Sequence, residues 1–401
     1  MKWEKVRLED CCYSISDGDH QPPPKAQQGI PFVTISNINS MNQLDFSDTM
    51  FVPKEYYQSL DEKRKVRKGD VLYSVVGSFG IPVLIKEERP FVFQRHIAIL
   101  RPKEDIVDSG FLFYTMLNRD FYAKADAVAI GAAQRTVSLG SLRNIKIDVP
   151  SLESQKHIAD ILSAYDDLIE NNQKQIKLLE EAAQRLYKEW FVDLRFPGHE
   201  NTKIVDGVPE GWSICPFSSK VDIMSGGTPK TSIPDYYNGR IPFYTPKDSD
   251  GAFFAYKTQI NITEGGLKNC NSRLYPSKTV IITARGTVGK TTILAIPMAM
   301  NQSCYALKMK ENDAPYYLFF ALNNEIKALQ TMANGGVFNT IIGKTFDSIN
   351  IQIPKDPLIY GFEETVRPFM EQIKNKLQAN SKLVEARNRL LLKMMNGEVK
   401  V

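Results

Sequence analysis

The sequence of 401 residues predicts an α+β fold in which two globular domains built on one plan are each followed by a long helix. Three observations predict it. Four segments of the first 150 residues recur in the same order, at offsets between 204 and 211 residues. Apolar residues then repeat every seven positions in two stretches, as in coiled-coil helices. Before each stretch, short β-branched and aromatic runs are bounded by Gly, Pro and Asn, as in domains of many short strands.

The internal repeat fixes the order of the elements. The matching segments are IPFVTISNIN (30–39) with IPFYTPKDSD (241–250), GDVLYSVVGSFG (69–80) with KTVIITARGTVG (278–289), FQRHIAIL (93–100) with MNQSCYAL (300–307), and GAAQRTVSLGSLRNIKIDVP (131–150) with GGVFNTIIGKTFDSINIQIP (335–354). Trp3 also aligns with Trp212, and Gly18 with Gly227. Each match alone is weak, but their shared order predicts two tandem copies of one domain. A single helix is expected near Phe111–Tyr122, with its counterpart near Tyr316–Met332.

The two long helices are predicted to form an antiparallel coiled coil about a pseudo-twofold axis. Their three–four spacing defines a seam of side chains. The predicted seam residues are Ile158, Leu162, Tyr165, Ile169, Asn172, Ile176, Leu179, Leu186, Phe362, Val366, Phe369, Ile373, Asn380, Leu383 and Leu390. Each helix has one seam amide, Asn172 or Asn380, which either fixes the register of the helices or marks a kink or a water site.

The segment 192–212 is rich in Gly and Pro, which is typical of a linker. It completes the predicted division of the chain. The division is a first globular domain (1–150), a first long helix (151–194), a linker (195–211), a second globular domain (212–354) and a second long helix (355–401).

The composition excludes several classes of protein. With 43% hydrophobic and 24% charged residues, the chain is neither disordered nor a disulfide scaffold. No apolar run reaches the ~20 residues of a membrane span. Five scattered cysteines and four histidines give no metal-binding pattern, and free thiols favour the cytoplasm. The net charge of +4 is small, so any binding of DNA must depend on placed contacts.

The segment ARGTVGKT (284–291) fits the relaxed pattern of a phosphate loop, which would make the chain an NTPase. Such a loop must open a helix whose amides face the phosphate. The residues after Thr291 are instead β-branched and include Pro297, which predicts a strand. We therefore interpret the segment as a hairpin turn. Because the chain also lacks methyltransferase and nuclease signatures, we expect no catalytic residue, no metal and no enzymatic activity.

Two similar domains with different loops suit a ligand of pseudo-twofold symmetry, and duplex DNA is the obvious one. Side chains able to form two hydrogen bonds with a base are concentrated in the predicted loops. The candidates are Lys25, Asn37, Asn39, Gln94, Arg95, His96, Gln134 and Arg135 in the first domain, and Lys230, Lys247, Asp248, Arg285, Lys290, Asn301, Gln302 and Asn339 in the second. Each of them can instead contact the DNA backbone, face solvent or form a hydrogen bond within its loop. Tyr244 is expected in the core.

Four segments carry a resemblance to a known family. They are IKIDVPSLESQKHIADIL (145–162), AAQRLYKEWFVDLRFPG (182–198), VPEGW (208–212) and LLLKMMNGEV (390–399). Over nearly its whole length, the chain resembles the specificity (S) subunit of type I restriction–modification systems. It departs from that pattern at IPKDPLIYGFEE, which lacks the usual Gln after the proline, and at Trp3, which no proline-containing entry precedes.

The resemblance implies a function. Each globular domain would be a target-recognition domain that binds one half of a bipartite, asymmetric target in double-stranded DNA. The helices would set the unread spacer and dock two methyltransferase M subunits, which hold S-adenosylmethionine. Restriction R subunits, which use ATP, would join them, and this chain would have no cofactor of its own. The alternative from another class is a coiled-coil scaffold with protein-binding heads.

Acidic residues recur along the first long helix and are expected on its outer face. This face is either solvated or part of the docking surface for the M subunit. The residues are Asp160, Asp166, Asp167, Glu170, Glu180 and Glu181.

Overall fold

The computed structural model describes residues 3–18, 22–39, 41–132, 134–205, 207–332 and 341–399. The chain divides into a first unit, Met1–Ile169 with Lys382–Val401, and a second unit, Glu170–Ser381. The helices are α1 (Leu8–Cys11), α2 (Lys54–Ser59), α3 (Ser109–Leu117), α4 (Arg119–Ala127), α5 (Leu139–Asn144), α6 (Leu152–Tyr187), α7 (Phe217–Lys220), α8 (Glu264–Lys268), α9 (Pro315–Met332) and α10 (Asp356–Met395).

Short strands make up the rest of the regular structure. In the first unit they are β1 (Glu4–Arg7), β2 (Cys12–Asp17), β3 (Ile30–Val33), β4 (Met50–Val52), β5 (Val71–Ser74), β6 (Pro82–Leu84), β7 (Val92–Phe93), β8 (Ile97–Pro102) and β9 (Lys146–Val149). In the second unit they are β10 (Ile204–Val205), β11 (Val208–Pro209), β12 (Ser213–Pro216), β13 (Val221–Ser225), β14 (Tyr237–Tyr244), β15 (Phe254–Ala255), β16 (Ile260–Ile262), β17 (Val280–Thr283), β18 (Thr291–Leu294), β19 (Ala299–Met300), β20 (Cys304–Met309) and β21 (Asn350–Ile353).

The sheets of the two units have the same topology. The first unit contains sheets of strand order β2-β8-β5-β6, β4-β3-β7 and β1-β9. The second contains β13-β20-β17-β18-β15, β16-β14-β19 and β12-β21. Strand by strand, the orders of these sheets coincide. The second unit adds the strand β15, which pairs in parallel with β18, and the two-stranded sheet β10-β11. The prediction of an α+β fold with a tandem repeat is therefore confirmed.

Strand register also corrects one detail of the repeat. Gly18 N donates to Ile97 O, and a Cβ on Gly18 would lie 2.6 Å from Gln94 O. In the second unit, Gly226 makes the equivalent contacts, since Gly226 N donates to Cys304 O. A Cβ on Gly226 would lie 2.2 Å from the carbonyl oxygen of Asn301. The equivalent of Gly18 is therefore Gly226, and the alignment with Gly227 was wrong by one residue.

The single helix predicted near Phe111–Tyr122 is two helices, α3 and α4. Asn118 separates them with an extended backbone (φ −69°, ψ 143°). Its amide nitrogen donates to Tyr114 O and Thr115 O, and its side chain accepts from Asp120 N. Asn118 therefore ends one helix and caps the next, as Asn commonly does at helix termini. The counterpart of α3 and α4 in the second unit is the single helix α9, which continues without a break to Met332.

The two long helices are present, with bounds that differ from the expected ones. After Tyr187, α6 passes into a π-helical turn, Lys188–Val192. The second long helix, α10, passes through Pro368 and ends at Met395, before the predicted end of the element. Gly397 ends it because its positive φ of 68° allows Gly397 N and Glu398 N to donate to Met394 O and Lys393 O.

The start of α6 packs against the end of α10 in the first unit, where Ile158 and Leu162 share a core with Leu391 and Met394. In the second unit, the later part of α6 packs against the first part of α10. There, the Tyr187 ring lies 5.9 Å from the ring of Phe362. Within each unit the helices therefore run antiparallel. Every predicted seam residue is buried or half-buried.

Candidate nucleic-acid interface

The turn between β5 and β6 is held by a buried hydroxyl. Ser74 Oγ donates to Ser78 O at 2.9 Å and accepts from Ile81 N at 2.9 Å. Gly77 and Gly80 have φ values of 70° and 96°, which side chains with a Cβ rarely adopt. The sequence of this turn therefore fixes its backbone closely.

The turn between β17 and β18 repeats this geometry in the second unit. Thr283 Oγ1 donates to Thr287 O and accepts from Lys290 N at 3.0 Å. Gly286 and Gly289 have φ values of 78° and 80°. Because the strand β18 begins at Thr291, no helix opens after this turn. The phosphate-loop interpretation therefore fails, as the sequence predicts.

Backbone hydrogen bonds bring further loops beside each of these turns. In the first unit, Val75 N donates to His96 O at 2.8 Å, and Gly77 N donates to Arg135 O at 2.9 Å. In the second, Ala284 N donates to Ser303 O at 2.7 Å. The candidates Gln94, Arg95, His96, Gln134 and Arg135 therefore lie together around one turn. In the second unit, Arg285, Lys290, Asn301 and Gln302 do the same.

Asn37 and Asp248 occupy equivalent places and have the same local role. Asn37 Oδ1 accepts from Thr34 N and Thr34 Oγ1, both at 2.9 Å. Asp248 Oδ2 accepts from Thr245 N and Thr245 Oγ1, both at 2.8 Å. Each side chain therefore holds the short 3-10 turn that follows the strand. Of the alternatives open for these two candidates, a hydrogen bond within the loop is what the structure contains.

Three other candidates also hold their own loops. Asn39 Oδ1 accepts from Met41 N at 2.9 Å and from Gln43 N at 3.1 Å. Asn301 Oδ1 accepts from Ser303 N at 3.0 Å. Arg135 forms an ion pair of 3.0 Å with Asp126. Such contacts position a loop without excluding a contact between the rest of the side chain and DNA.

The Gln302 side chain accepts a hydrogen bond from Thr228 Oγ1, which joins its loop to the loop that carries Lys230. Sequence reasoning missed Thr228. The only signal was its place in the Gly-Gly-Thr-Pro segment, which has no counterpart in the first domain. The candidate Asn339 lies outside the described residues.

Nine candidates have side chains without a hydrogen bond or an ion pair to the part of the chain that the structure describes. They are Lys25, Gln94, Arg95, His96 and Gln134 in the first unit, and Lys230, Lys247, Arg285 and Lys290 in the second. All four candidates of the second unit are exposed cations. Burial, followed by the positive charge of Arg95, lowers the pKa of His96, which is therefore mostly neutral at pH 7.

The acidic residues of α6 do not form one outer face, so that expectation was wrong for two of them, Asp166 and Glu180. Asp166 accepts from the Arg387 guanidinium and, at 2.7 Å, from Tyr114 Oη. Asp167 pairs with Lys86 at 2.8 Å and remains exposed, as expected. Glu180 is half-buried, and its burial raises the pKa of its carboxyl to about 7. Asp166 and Glu180 fail the prediction because neighbouring side chains of their own unit cover them.

Two absences hold for the residues described above. None of their helices is both long and apolar enough to cross a bilayer. Their His, Cys, Asp and Glu side chains form no cluster of three or more that could hold a metal ion. Tyr244, expected in the core, is buried with 1% of its surface exposed.

Comparison with known proteins identifies the class to which this fold belongs. A family model for the type I restriction modification DNA specificity domain matches residues 1–181 and 209–378. The chain is 24% identical to the type I restriction enzyme HindI specificity subunit of Haemophilus influenzae, over 99% of both chains. It is 25% identical to the MjaIX specificity subunit of Methanocaldococcus jannaschii, over 83% of this chain and 78% of that one.

A solved structure shares the fold. It is the crystal structure of the S subunit of a type I restriction–modification system from M. genitalium, with a TM-score of 0.61 and 16% identity. The match covers 98% of this chain and 96% of that one. The class is thus that of specificity subunits, which are non-catalytic. The chain belongs to the type I restriction modification DNA specificity family, and it is not an enzyme.

Proposed function

We propose that the globular part of each unit reads one half of a bipartite, asymmetric DNA target. The observation that carries the proposal is a shared loop backbone with different side chains. Where the turn of the second unit has Arg285 and Lys290, the equivalent turn of the first has Val76 and Ile81. Two scaffolds of one geometry that present different groups to base edges select different sequences.

The free cations of the second unit suit this role. Arg285 and Lys290 flank a rigid turn, and Lys247 lies in a neighbouring loop, where a Cβ on Gly286 would lie 3.9 Å from Pro246 Cβ. A guanidinium pairs with guanine O6 and N7 or with a phosphate, and an ammonium binds phosphate as a point charge. Because the described residues offer these cations no carboxylate, no ion pair must break before DNA binds.

The division of the chain at residues 150, 194, 211 and 354 is part of the proposal. We propose that the segments 1–150 and 212–354 are the two exchangeable target-recognition domains. The helices α6 and α10 set the length of the spacer between the half-sites and dock two methyltransferase M subunits. Those subunits supply S-adenosylmethionine, and R subunits, with ATP, complete the restriction complex.

The test is a charge-removal variant read by methylation. Arg285→Ala with Lys290→Ala is compared with Lys308→Ala, which removes an exposed cation on β20. Lys308 lies five residues from Ser303, or about 17 Å along an extended strand. With the partner M subunit present, the double variant is expected to methylate one half-site with relaxed specificity, while the control keeps both. Equal methylation by the double variant and the wild type would remove these residues from the interface.

A further inference from the structure

Two polar pairs join α6 and α10. In the second unit, Asn172 Nδ2 donates to Asn380 Oδ1 at 2.8 Å, and both residues are buried. In the first unit, the Arg387 guanidinium donates to the Asp166 carboxylate, and their side chains are 13% and 17% exposed. A buried amide or charge without a partner destabilises the contact that buries it. The two polar pairs therefore restrict which helix surfaces can meet.

The internal repeat gives each residue of α6 an equivalent in α10, 204 positions later. Burial supports this equivalence, because three apolar seam residues and their equivalents are all buried. They are Ile158 with Phe362, Leu162 with Val366, and Ile169 with Ile373. By the same offset, Asn172 corresponds to Lys376, and Asn380 corresponds to Ile176. The polar residues thus break a symmetry that the apolar residues keep.

This asymmetry has a consequence for two copies of the chain that meet through equal helices. If a second α6 takes the place of α10, Ile176 of the second copy stands where Asn380 stands. The Asn172 amide then faces a hydrocarbon side chain. Ala183 of the second copy stands where Arg387 stands, so Asp166 loses its cation. Each α6 in such a pair therefore buries one unsatisfied amide and one carboxylate that has lost its cation and keeps the hydrogen bond from Tyr114 Oη.

The converse pair, α10 with a second α10, is mismatched in the same way. Lys376 of the second copy takes the place of Asn172, and its ammonium is brought into a buried position beside Asn380. Met370 of the second copy takes the place of Asp166, so the Arg387 guanidinium has no carboxylate. The pairing of α6 with α10 satisfies all four polar groups, and neither like pair does.

We propose that the Asn172–Asn380 and Asp166–Arg387 pairs select unlike helices and prevent two copies of this chain from associating through equal ones. The seam of α6 is thereby reserved for α10. Pairing of α6 with α10 of a second copy keeps both polar pairs. The covalent connection disfavours that exchange, because the helix of the same chain is present at an effective concentration of order mM.

The test moves one amide to the equivalent position in the other helix. The exchange variant, Ile176→Asn with Asn380→Ile, keeps the composition of the chain and reverses the preference. Within one chain, Asn172 now faces an apolar residue. In a like pair of α6 helices, Asn172 of each copy faces the new amide at position 176 of the other. Its dimer dissociation constant is expected to be at least about a hundredfold below that of the wild type, at about tenfold for each unpartnered amide.

The matched control moves the whole amide pair instead of one member. It adds Asn172→Lys and Lys376→Asn to the exchange variant, which places the two amides at positions 176 and 376. These positions are the symmetry equivalents of 380 and 172. Unlike helices are then matched again, although the change at position 176 is retained. The control is expected to be monomeric wherever the wild type is, which separates helix selection from any loss of folding at position 176.

Sedimentation equilibrium gives the mass of each full-length variant, and a spin label identifies the helix pair. The label is attached at Lys174→Cys in a background with Cys215 and Cys270 replaced by Ser. In a like pair of α6 helices, position 174 of one copy meets position 174 of the other. Two labels within about 20 Å are then expected, since packed helices lie about 8–10 Å apart.

The apolar variant, Asn172→Ile with Asn380→Ile, provides a second, independent test of helix selection, because it leaves no amide unsatisfied in any helix pair. We expect it to dimerise more readily than the wild type and less readily than the exchange variant. A folded exchange variant as monomeric as the wild type would overturn the proposal. So would an exchange dimer without the short distance between labels, or an apolar variant no more dimeric than the wild type.

Discussion

The largely buried ion pair between Asp166 and Arg387, whose side chains are 17% and 13% exposed, allows a quantitative test of the helix packing in the first unit. Replacing Asp166 by Ala leaves the guanidinium of Arg387 among packed side chains, with the Asn388 side chain as its remaining acceptor. Breaking a buried pair by removing one partner costs about 3–5 kcal/mol. Because Asn388 Oδ1 still accepts two hydrogen bonds from the guanidinium, at 3.2 and 2.9 Å, we expect a loss of about 3 kcal/mol in the free energy of unfolding.

Arg387→Met is expected to cost less, because Tyr114 Oη still donates to the Asp166 carboxylate at 2.7 Å. A loss of about 2 kcal/mol is the expected result, since the carboxylate keeps one partner. The double variant, Asp166→Ala with Arg387→Met, leaves no unpaired charge. Apolar replacement of a whole buried pair is often neutral, so the double variant should be more stable than either single variant.

The assay is urea unfolding followed by the fluorescence of Trp3. This residue reports on the first unit, where its ring lies 6.2 Å from that of Phe111. Trp190 and Trp212 are replaced by Phe in every variant, so that only the first unit is observed. The exposed pair Arg389–Glu385, with side chains 76% and 61% exposed, is the control. Its coupling energy should be below about 0.5 kcal/mol. Additive losses at Asp166 and Arg387 would refute the reasoning.

Three further predictions concern DNA affinity, pH and the spacer. If the Arg285 guanidinium binds one phosphate, its removal should reduce the slope of the logarithm of the DNA association constant against the logarithm of salt concentration by about 0.9. The slope is measured by fluorescence anisotropy of the assembled complex on duplex DNA. An unchanged slope excludes that contact. Burial raises the pKa of Glu363, whose Oε1 accepts from Tyr317 N at 2.8 Å, to about 7, above its ordinary value of 4.5. Its contribution to stability is therefore present below pH 4.5 and is lost as the pH rises to 7, by about 3 kcal/mol, and Glu363→Gln should remove this dependence from urea unfolding curves measured between those values. Insertion of four residues between Val192 and Gly198 should lengthen the unread spacer of the methylated motif, and an inserted chain that keeps the original spacer contradicts the role proposed for this segment.

Most of the fold could be predicted from the sequence because the repeat shows the pattern of each element twice. The turn with Gly77 and Gly80 is weak evidence alone, but its recurrence with Gly286 and Gly289 identifies a structural turn. The heptads likewise predicted both long helices, since apolar spacing follows from helix geometry. Local propensity was less informative at Asn118, where one polar residue both ends α3 and caps α4.

The roles of individual polar side chains could not be predicted from the sequence. Asn37 and Asp248 have side chains of the kind that can hydrogen-bond to a base, yet their side-chain oxygens accept hydrogen bonds from the backbone of their own loops. Asp166 looked like a surface carboxylate, because only the folded chain brings Arg387 from a distant helix beside it. The Asp166 contact joins residues far apart in sequence, which no local pattern encodes. Asn37 and Asp248 instead bond the threonine three residues before them, so their role follows from short-range loop geometry.

The central claim is that one chain contains two domains that recognise different half-sites. Genome-wide mapping of adenine methylation tests it most directly. The gene would be expressed with its partner M subunit gene in a host without its own adenine methylation, and the modified sites read genome-wide. We expect a single split motif, with two short unlike halves separated by a fixed gap. Exchange of residues 1–150 for those of a relative should then change one half and leave the other and the gap intact. A change in both halves, or a motif with one contiguous recognition element, would contradict the account.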